Sequence, residues 1–257
     1  MTNGIFITGT DTGVGKTVIA AGIIRALTRK GVKAGAMKPV ETGCVDEGGT
    51  LVARDGMFLR KIAGMGEPAE VVTPVRFSCP LAPMVAAELE GRSVDIDVVM
   101  HAYSMLIAEY DFLVVEGAGG LMVPLMRENG RTDAPEQRRV QSTYFISDLI
   151  KTLALPALVV ARAGLGTINH TLLTVMHALE EGIELRGVII NNCEPEGTVA
   201  GQTNPEVLQR ICPVPILGVV PYYPSPFGSA CDNVDPVADA LSDAAESLMP
   251  SQAGNKS

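Results

Sequence analysis

Tryptophan is absent from the 257-residue sequence and aromatic residues make up only 4% of it, so aliphatic side chains must fill any core. Charged residues are also sparse, 19% against 47% hydrophobic, which is ample for a large buried interior at a length typical of one α/β domain. Basic residues are outnumbered 20 to 29, and the formal net charge of −9 argues against partners such as nucleic acid or an anionic membrane. An anion site in such a chain requires a local positive field. The five cysteines, Cys44, Cys79, Cys193, Cys212 and Cys231, show neither a CxxC pair nor zinc-type spacing. They read as isolated reduced thiols. No apolar run approaches the roughly 20 residues that cross a bilayer, and no signal peptide precedes the first apolar segment. A soluble, cytoplasmic protein is expected. Internal repeats and low-complexity blocks are lacking as well.

What is present is concentrated at residues 4–17, Gly-Ile-Phe-Ile-Thr-Gly-Thr-Asp-Thr-Gly-Val-Gly-Lys-Thr. Ile5 to Ile7 reads as a buried strand, and Val18 to Arg29 carries helical periodicity. A strand, a glycine turn and Gly-Lys-Thr at the mouth of a helix form the phosphate-cradling P-loop arrangement. The first glycine position of that pattern holds Thr10, with Gly9 one residue earlier. Gly13 and Gly15 permit positive φ and close approach of the backbone to an anion. Amides at the helix start, with the positive end of its dipole, favour phosphate there. Lys16 would neutralise the outer phosphates and the Thr17 hydroxyl would ligate Mg²⁺.

Further along, strands recur and end in polar residues. Val32 to Met37 delivers Lys38-Pro-Val-Glu-Thr-Gly43, and a lysine just past a strand's carboxyl end lies where open α/β sheets bind ligands. Residues 44–52 read as a mobile loop, followed by a helix bearing Asp55. Val75 to Phe77 is strand-like; Leu81 to Leu89 and Asp97 to Tyr110 read as helices, and the lone His101 on the second is expected to be structural, as single helical histidines usually are. Phe112 to Val115 is a buried strand ending in Glu116-Gly-Ala-Gly-Gly120, with the carboxylate placed for a second metal contact. The polar stretch Arg127 to Gln141 reads as a surface excursion, and Thr143 to Thr152 as a helix. Pro156 to Ala161 is a strand feeding Arg162-Ala-Gly-Leu-Gly-Thr-Ile-Asn-His170, whose amides near Gly166 and Thr167 form a second potential anion site. The strand Gly187 to Ile190 ends at Asn191-Asn192; Asn191 can cap a turn or read a nucleobase edge. Pro205 to Ile211 is a short helix, Ile216 to Val220 the last strand, and Val237 to Met249 a final acidic helix. Six or seven buried strands alternating with helices call for a parallel sheet covered on both faces. Right-handed crossovers put the strand ends on one edge, so Thr12, Lys16, Lys38, Glu116 and Asn191 are expected to converge on one cleft.

Five segments together resemble the dethiobiotin synthetase family: Gly9-Thr-Asp-Thr-Gly-Val-Gly-Lys-Thr17, Lys38-Pro-Val-Glu-Thr-Gly43, Glu116-Gly-Ala-Gly-Gly120, Gly164-Leu-Gly-Thr-Ile-Asn-His170 and Gly187-Val-Ile-Ile-Asn191. The resemblance implies a single-domain P-loop NTPase-like three-layer α/β sandwich over residues 1–250, with a mainly parallel sheet of about seven strands, helices on both faces and a flexible tail at 251–257. It also implies a homodimer with interfacial active sites, and carboxylation of 7,8-diaminopelargonate with CO₂ and MgATP to give dethiobiotin, ADP and phosphate. Carried over by motif, Gly13, Val14, Gly15, Lys16, Thr17 and Val18 would hold the phosphates. Thr17, Asp55 and Glu116 would surround Mg²⁺, with Gly117, Ala118 and Gly119 beside the nucleotide. Asn191, Asn192, Pro221 and Tyr222 would hold adenine. Lys16 and Lys38 would face the phosphoryl and carbamate oxygens, and Thr12 and Thr42 the diamine. Gly166, Thr167 and Asn169 would meet the substrate's carboxylate tail from the partner subunit. The alternative is a switch ATPase of the partitioning or septum-positioning kind. Those proteins typically carry a lysine where this chain has Asp11, and often a basic membrane helix where this chain ends in an acidic one. A related amidoligase would need a glutaminase domain for which the chain has no room.

Overall fold

A computed structural model describes residues 3–127, 143–192, 198–223 and 234–249. The Arg127–Gln141 excursion past Arg127, the tail at 251–257, Cys193 and Cys231 lie outside them. The chain begins with β1 (Gly4–Gly9), a run buried throughout, and α1 (Lys16–Arg29), which starts at the lysine of the glycine loop. Next come β2 (Ala34–Met37) and β3 (Val40–Thr42), separated where Pro39 cannot donate to a ladder. Residues 44–52 depart from the expected loop. They form an antiparallel hairpin, β4 (Val45–Glu47) and β5 (Thr50–Val52). Gly48 and Gly49 supply its positive-φ turn, and Asp46 Oδ1 accepts from Gly49 N at 2.7 Å.

Then follow α2 (Arg54–Ala63), α3 (Ala69–Val72), β6 (Val75–Phe77), α4 (Pro83–Leu89) and α5 (Ile96–Glu109). The strand β7 (Phe112–Gly120) runs through the expected glycine turn, because Gly120 pairs with Gly9 in the ladder and a Cβ there would lie 2.9 Å from the Gly9 carbonyl oxygen. Past β8 (Pro124–Arg127), the expected Thr143–Thr152 helix opens as a strand, β9 (Thr143–Phe145), before α6 (Ile146–Leu153). Asp148 Oδ2 accepts from Phe145 N at 2.9 Å and so sets that boundary.

The remaining elements are β10 (Ala157–Arg162), α7 (Thr167–Glu180), β11 (Leu185–Asn191), α8 (Val199–Ile211), β12 (Ile216–Val220), α9 (Asp235–Ala240) and α10 (Ser242–Leu248). The helix α8 starts before Pro205, capped by Thr198, whose Oγ1 accepts from Gly201 N at 3.0 Å. The expected final helix is two, broken at Leu241.

Six strands form the principal sheet in the order β12-β11-β10-β1-β7-β2, all pairs parallel. The strand β3 pairs with β6 in a separate parallel pair. Side chains of β10 alternate between two clusters: Leu158 and Val160 join the larger core under α1, and Val159 and Ala161 join Val175 of α7 and Leu208 of α8. Both faces are therefore covered, the condition for an all-parallel sheet. Since every pairing is parallel, the carboxyl ends of all six strands share one edge. Connections leave β1 toward β2 on one side, with β10 on the other, so the crevice above β1 is the topological switch point.

Candidate active site

At the end of β1 the chain turns through Gly13 (φ 75°) and Gly15 (φ 88°), and α1 opens at Lys16. A Cβ on Gly15 would lie 2.1 Å from Asn191 Nδ2, which itself donates to the Val14 carbonyl at 3.0 Å. The loop is thus braced by a side chain from the end of β11. Lys16 Nζ donates to the Asp11 carbonyl at 3.0 Å. The Asp11 carboxylate accepts from Thr12 N at 2.7 Å and from Arg162, at the end of β10, at 2.7 Å.

Lys38 follows β2, and its ammonium donates to Glu116 Oε1 at 2.6 Å and to Asp55 Oδ2 at 3.2 Å. Thr17 Oγ1 donates to the same Glu116 oxygen at 2.9 Å. Burial opposes the charge on Lys38, yet Glu116 and Asp55 together hold its pKa above the ordinary lysine range. Burial lifts the Glu116 carboxyl, and the neighbouring Asp55 adds to the shift against the opposing pull of Lys38. Burial pulls Lys16 down to about 8, with Glu116 opposing and Lys38 assisting. Glu41, also buried, has its carboxyl raised by desolvation and then by Asp55.

These groups face a cleft of about 430 Å³ at the carboxyl edge of the sheet. Its floor carries Thr12, Gly13, Gly15, Lys16, Thr17 and Val18 from the loop and α1. One wall brings Lys38, Thr42 and Asp55, and the other Glu116, Ala118 and Gly119. Val40, Ala82, Pro83 and Val123 supply an apolar rim that composition gave no means of finding. A cavity of about 520 Å³ between α4, α5 and β8 is larger but lies away from the glycine loop and both lysines.

Other expected residues do not line this cleft. Val14 is buried in the core, and Gly117 lies where a Cβ would meet the Phe6 ring at 2.6 Å. Asn191 braces the loop, while Asn192, Pro221 and Tyr222 lie at the ends of β11 and β12 outside the cleft lining. Gly166, Thr167 and Asn169 begin α7 and do not line this chain's cleft; the Thr167 hydroxyl is buried, 3.3 Å from that of Thr171. Two contributors escaped the motif reading. Glu41 lines the cleft, and Arg162 ties β10 to the loop. The signal for Glu41 was a carboxylate inside the apolar strand just after Lys38.

A glycine turn at a strand's carboxyl end, a helix opening on Gly-Lys-Thr, and a buried carboxylate on that threonine's hydroxyl define a P-loop α/β nucleotide-binding protein. The chain matches the AAA domain family over residues 3–134 and 130–226. It is similar in fold to the septum site-determining protein MinD complexed with Mg-ADP from Pyrococcus horikoshii, with a TM-score of 0.55 at 19% identity, covering 96% of each chain. A ParA family ATPase from Chlorobium tepidum gives 0.55 at 11% identity, covering 96% of this chain and 99% of that one. At those identities the likeness is one of fold alone. Sequence similarity is much stronger to ATP-dependent dethiobiotin synthetase BioD of Thermodesulfovibrio yellowstonii, 46% identical over 86% of this chain and 90% of the relative. The same enzyme from Bacillus licheniformis is 41% identical over 85% of each. The chain belongs to the ATP-dependent dethiobiotin synthetase family.

Proposed function

We propose that this chain carboxylates 7,8-diaminopelargonate with CO₂ at the expense of ATP and closes the ring to dethiobiotin, releasing ADP and phosphate, as a step of biotin biosynthesis. The observation that carries this reading is the joint opening of Lys16 and Lys38 onto one cleft, with Glu116 between Lys38 and Thr17. A diamine nitrogen adds to CO₂ to form a carbamate and loses a proton. A carbamate oxygen attacks the γ-phosphorus, breaking its bond to the β–γ bridging oxygen and releasing ADP. The second amine then attacks the mixed-anhydride carbon, loses a proton, closes the ureido ring and expels phosphate. The substrate brings its own nucleophiles, so the protein's part is positioning and charge neutralisation. Lys16 fits the phosphoryl oxygens and Lys38 the carbamate, with Thr12 and Thr42 at the diamine.

Mg²⁺ fits this donor set. Glu116 Oε2 is buried and accepts no hydrogen bond among the described residues. Thr17 Oγ1 lies on the same carboxylate, and Asp55 faces it across Lys38. Among the described residues no three His, Cys, Asp or Glu side chains form a closed metal site, which suits an ion that takes much of its shell from phosphate and water. Thr17, Asp55 and Glu116 would hold it, and it would supply charge neutralisation on the β- and γ-phosphates.

Adenine would lie beyond the Asn191 brace, toward Asn192, Pro221 and Tyr222. A homodimer is favoured by the apolar face of α7, where Leu173, Met176 and Leu179 recur at helical spacing and Leu165 precedes them, 91% exposed. Thr12 also borders a second cavity, of about 510 Å³, that reaches Leu173 and His177 of α7. A second subunit docked there would bring its own Gly166, Thr167 and Asn169 toward the diamine's carboxylate tail. We place the enzyme, over residues 1–250, in the cytoplasm; no helix among the described residues is long and apolar enough to cross a membrane. Incorporation of ¹⁴CO₂ into dethiobiotin, dependent on both ATP and diaminopelargonate, tests the reading. ATP hydrolysis indifferent to the diamine would favour a switch ATPase, against which Asp11, bound to Arg162 of its own chain, already speaks.

A further inference from the structure

Among the described residues, Glu41 is the one buried acidic group of the cleft that the proposed chemistry leaves without a task. It lies in the middle of β3, 6% exposed, where the ladder to β6 would accept an apolar residue. Its two carboxylate oxygens are both used: Oε1 accepts from Asp55 N at 3.0 Å and Oε2 from Gly56 N at 2.9 Å. Those are the second and third residues of α2, whose own N-cap, Ala53, makes no side-chain cap. A carboxylate taking two free amides at the positive end of a helix is a strong fixing contact. The same turn is closely packed, since a Cβ on Gly56 would lie 1.9 Å from Thr73 Oγ1 and 3.5 Å from Glu41 Oε2. One bond beyond the clamped amide, the Asp55 side chain reaches Lys38 at 3.2 Å while remaining 38% exposed.

We propose that Glu41 is a positioning residue: its two-oxygen clamp on the first turn of α2 holds the Asp55 carboxylate at the cleft, against Lys38 and toward the nucleotide's divalent cation. This rests on the functional reading above for the cation, though not for the diamine. Without the clamp, two amides lose their acceptor, and Asp55, on a half-exposed turn, gains freedom to leave the cleft. Residues that orient ligands in this way are worth about 10–100-fold in metal affinity.

The test measures Mg²⁺-dependent ATP binding by calorimetry, with the wild type, Glu41→Ala, Asp55→Asn and the double variant. Glu41→Ala is expected to raise the Mg²⁺ concentration for half-maximal ATP binding about 10–100-fold. Asp55→Asn is expected to do the same, and the double variant to be no worse than Asp55→Asn, because the two substitutions remove one arrangement. Hydrogen exchange at residues 54–57 should quicken in Glu41→Ala. Should that variant fail to fold, Glu41→Gln, of the same size with one acceptor oxygen kept, carries the comparison with an intermediate shift. A wild-type Mg²⁺ requirement in the Glu41 variant, or losses that add in the double variant, overturn the assignment. A wild type that binds MgATP in this Glu41-dependent way yet fixes no CO₂ onto the diamine refutes the carboxylase reading alone.

Discussion

Replacing Lys38 by methionine keeps most of the side chain's bulk and removes one charge from a place where its partner cannot reach water. Lys38 is 6% exposed and Glu116 1%, with 2.6 Å between them. Breaking such a pair by removing one partner costs about 3–5 kcal/mol when the survivor stays ionised. For a chain of this size about 3 kcal/mol lowers the melting temperature by roughly 6–12 °C. Glu116 has an escape, since burial already raises its pKa and loss of Lys38 raises it further. A carboxyl whose folded pKa lies above its unfolded value costs stability at high pH and returns it as pH falls through the folded pKa. The variant should therefore lose most at alkaline pH and regain stability on acidification. Lys38→Met/Glu116→Gln, which removes both members of the buried pair, should melt closer to the wild type than Lys38→Met does. Turnover obeys a separate arithmetic: removing one donor to a developing anion costs about 10²–10³-fold. Thermal melts across pH, with ¹⁴CO₂ incorporation at saturating ATP, read the two effects apart. A folded Lys38→Met that carboxylates at the wild-type rate would refute the assigned role, and a melt independent of pH would refute the buried pair.

Lys16, drawn down to about 8, should lose its charge as pH rises through that value, so kcat/KM for ATP should fall above about pH 8 while kcat at saturating ATP stays flat. Because its folded pKa lies below the unfolded 10.5, Lys16 adds stability as pH rises from about 8 toward 10.5, so the stability of the wild type relative to Lys16→Met should rise there, and a flat or falling difference would contradict its burial. Gly15→Ala should abolish ATP binding measured by calorimetry, since its Cβ would strike Asn191 at 2.1 Å. Gly13→Ala has open space around it and should lose only the cost of positive φ, about 1–2 kcal/mol; equal losses in the two variants would argue against the Asn191 brace. Leu173→Glu, on the exposed face of α7, should yield monomers in sedimentation velocity and lower turnover without unfolding; a dimer undisturbed by it would move the interface elsewhere.

What could be read without coordinates was local or periodic. Ile5–Ile7 and Phe112–Val115 announce buried strands because side chains covered on both faces must be apolar without interruption. The glycine loop declares its conformation because positive φ at Gly13 and Gly15 is a property of those residues alone. Parallel order then places Lys38 and Glu116 on the edge of β1, since right-handed crossovers leave one outcome. Boundaries set by partners were not legible: the hairpin at 45–52, the strand opening the segment at 143, and the run of β7 through three glycines all depend on what pairs beside them. Nor were the side chains' final tasks. Asn191 meets Val14 across 177 residues of sequence, and Glu41 reaches the start of α2 across 14. Composition and spacing thus decided that a phosphate loop, two lysines and a buried carboxylate exist and share an edge. Only the folded chain decided which polar groups open onto the cleft and which hold the others still, because that division depends on burial and on distances of about 3 Å between residues remote in sequence.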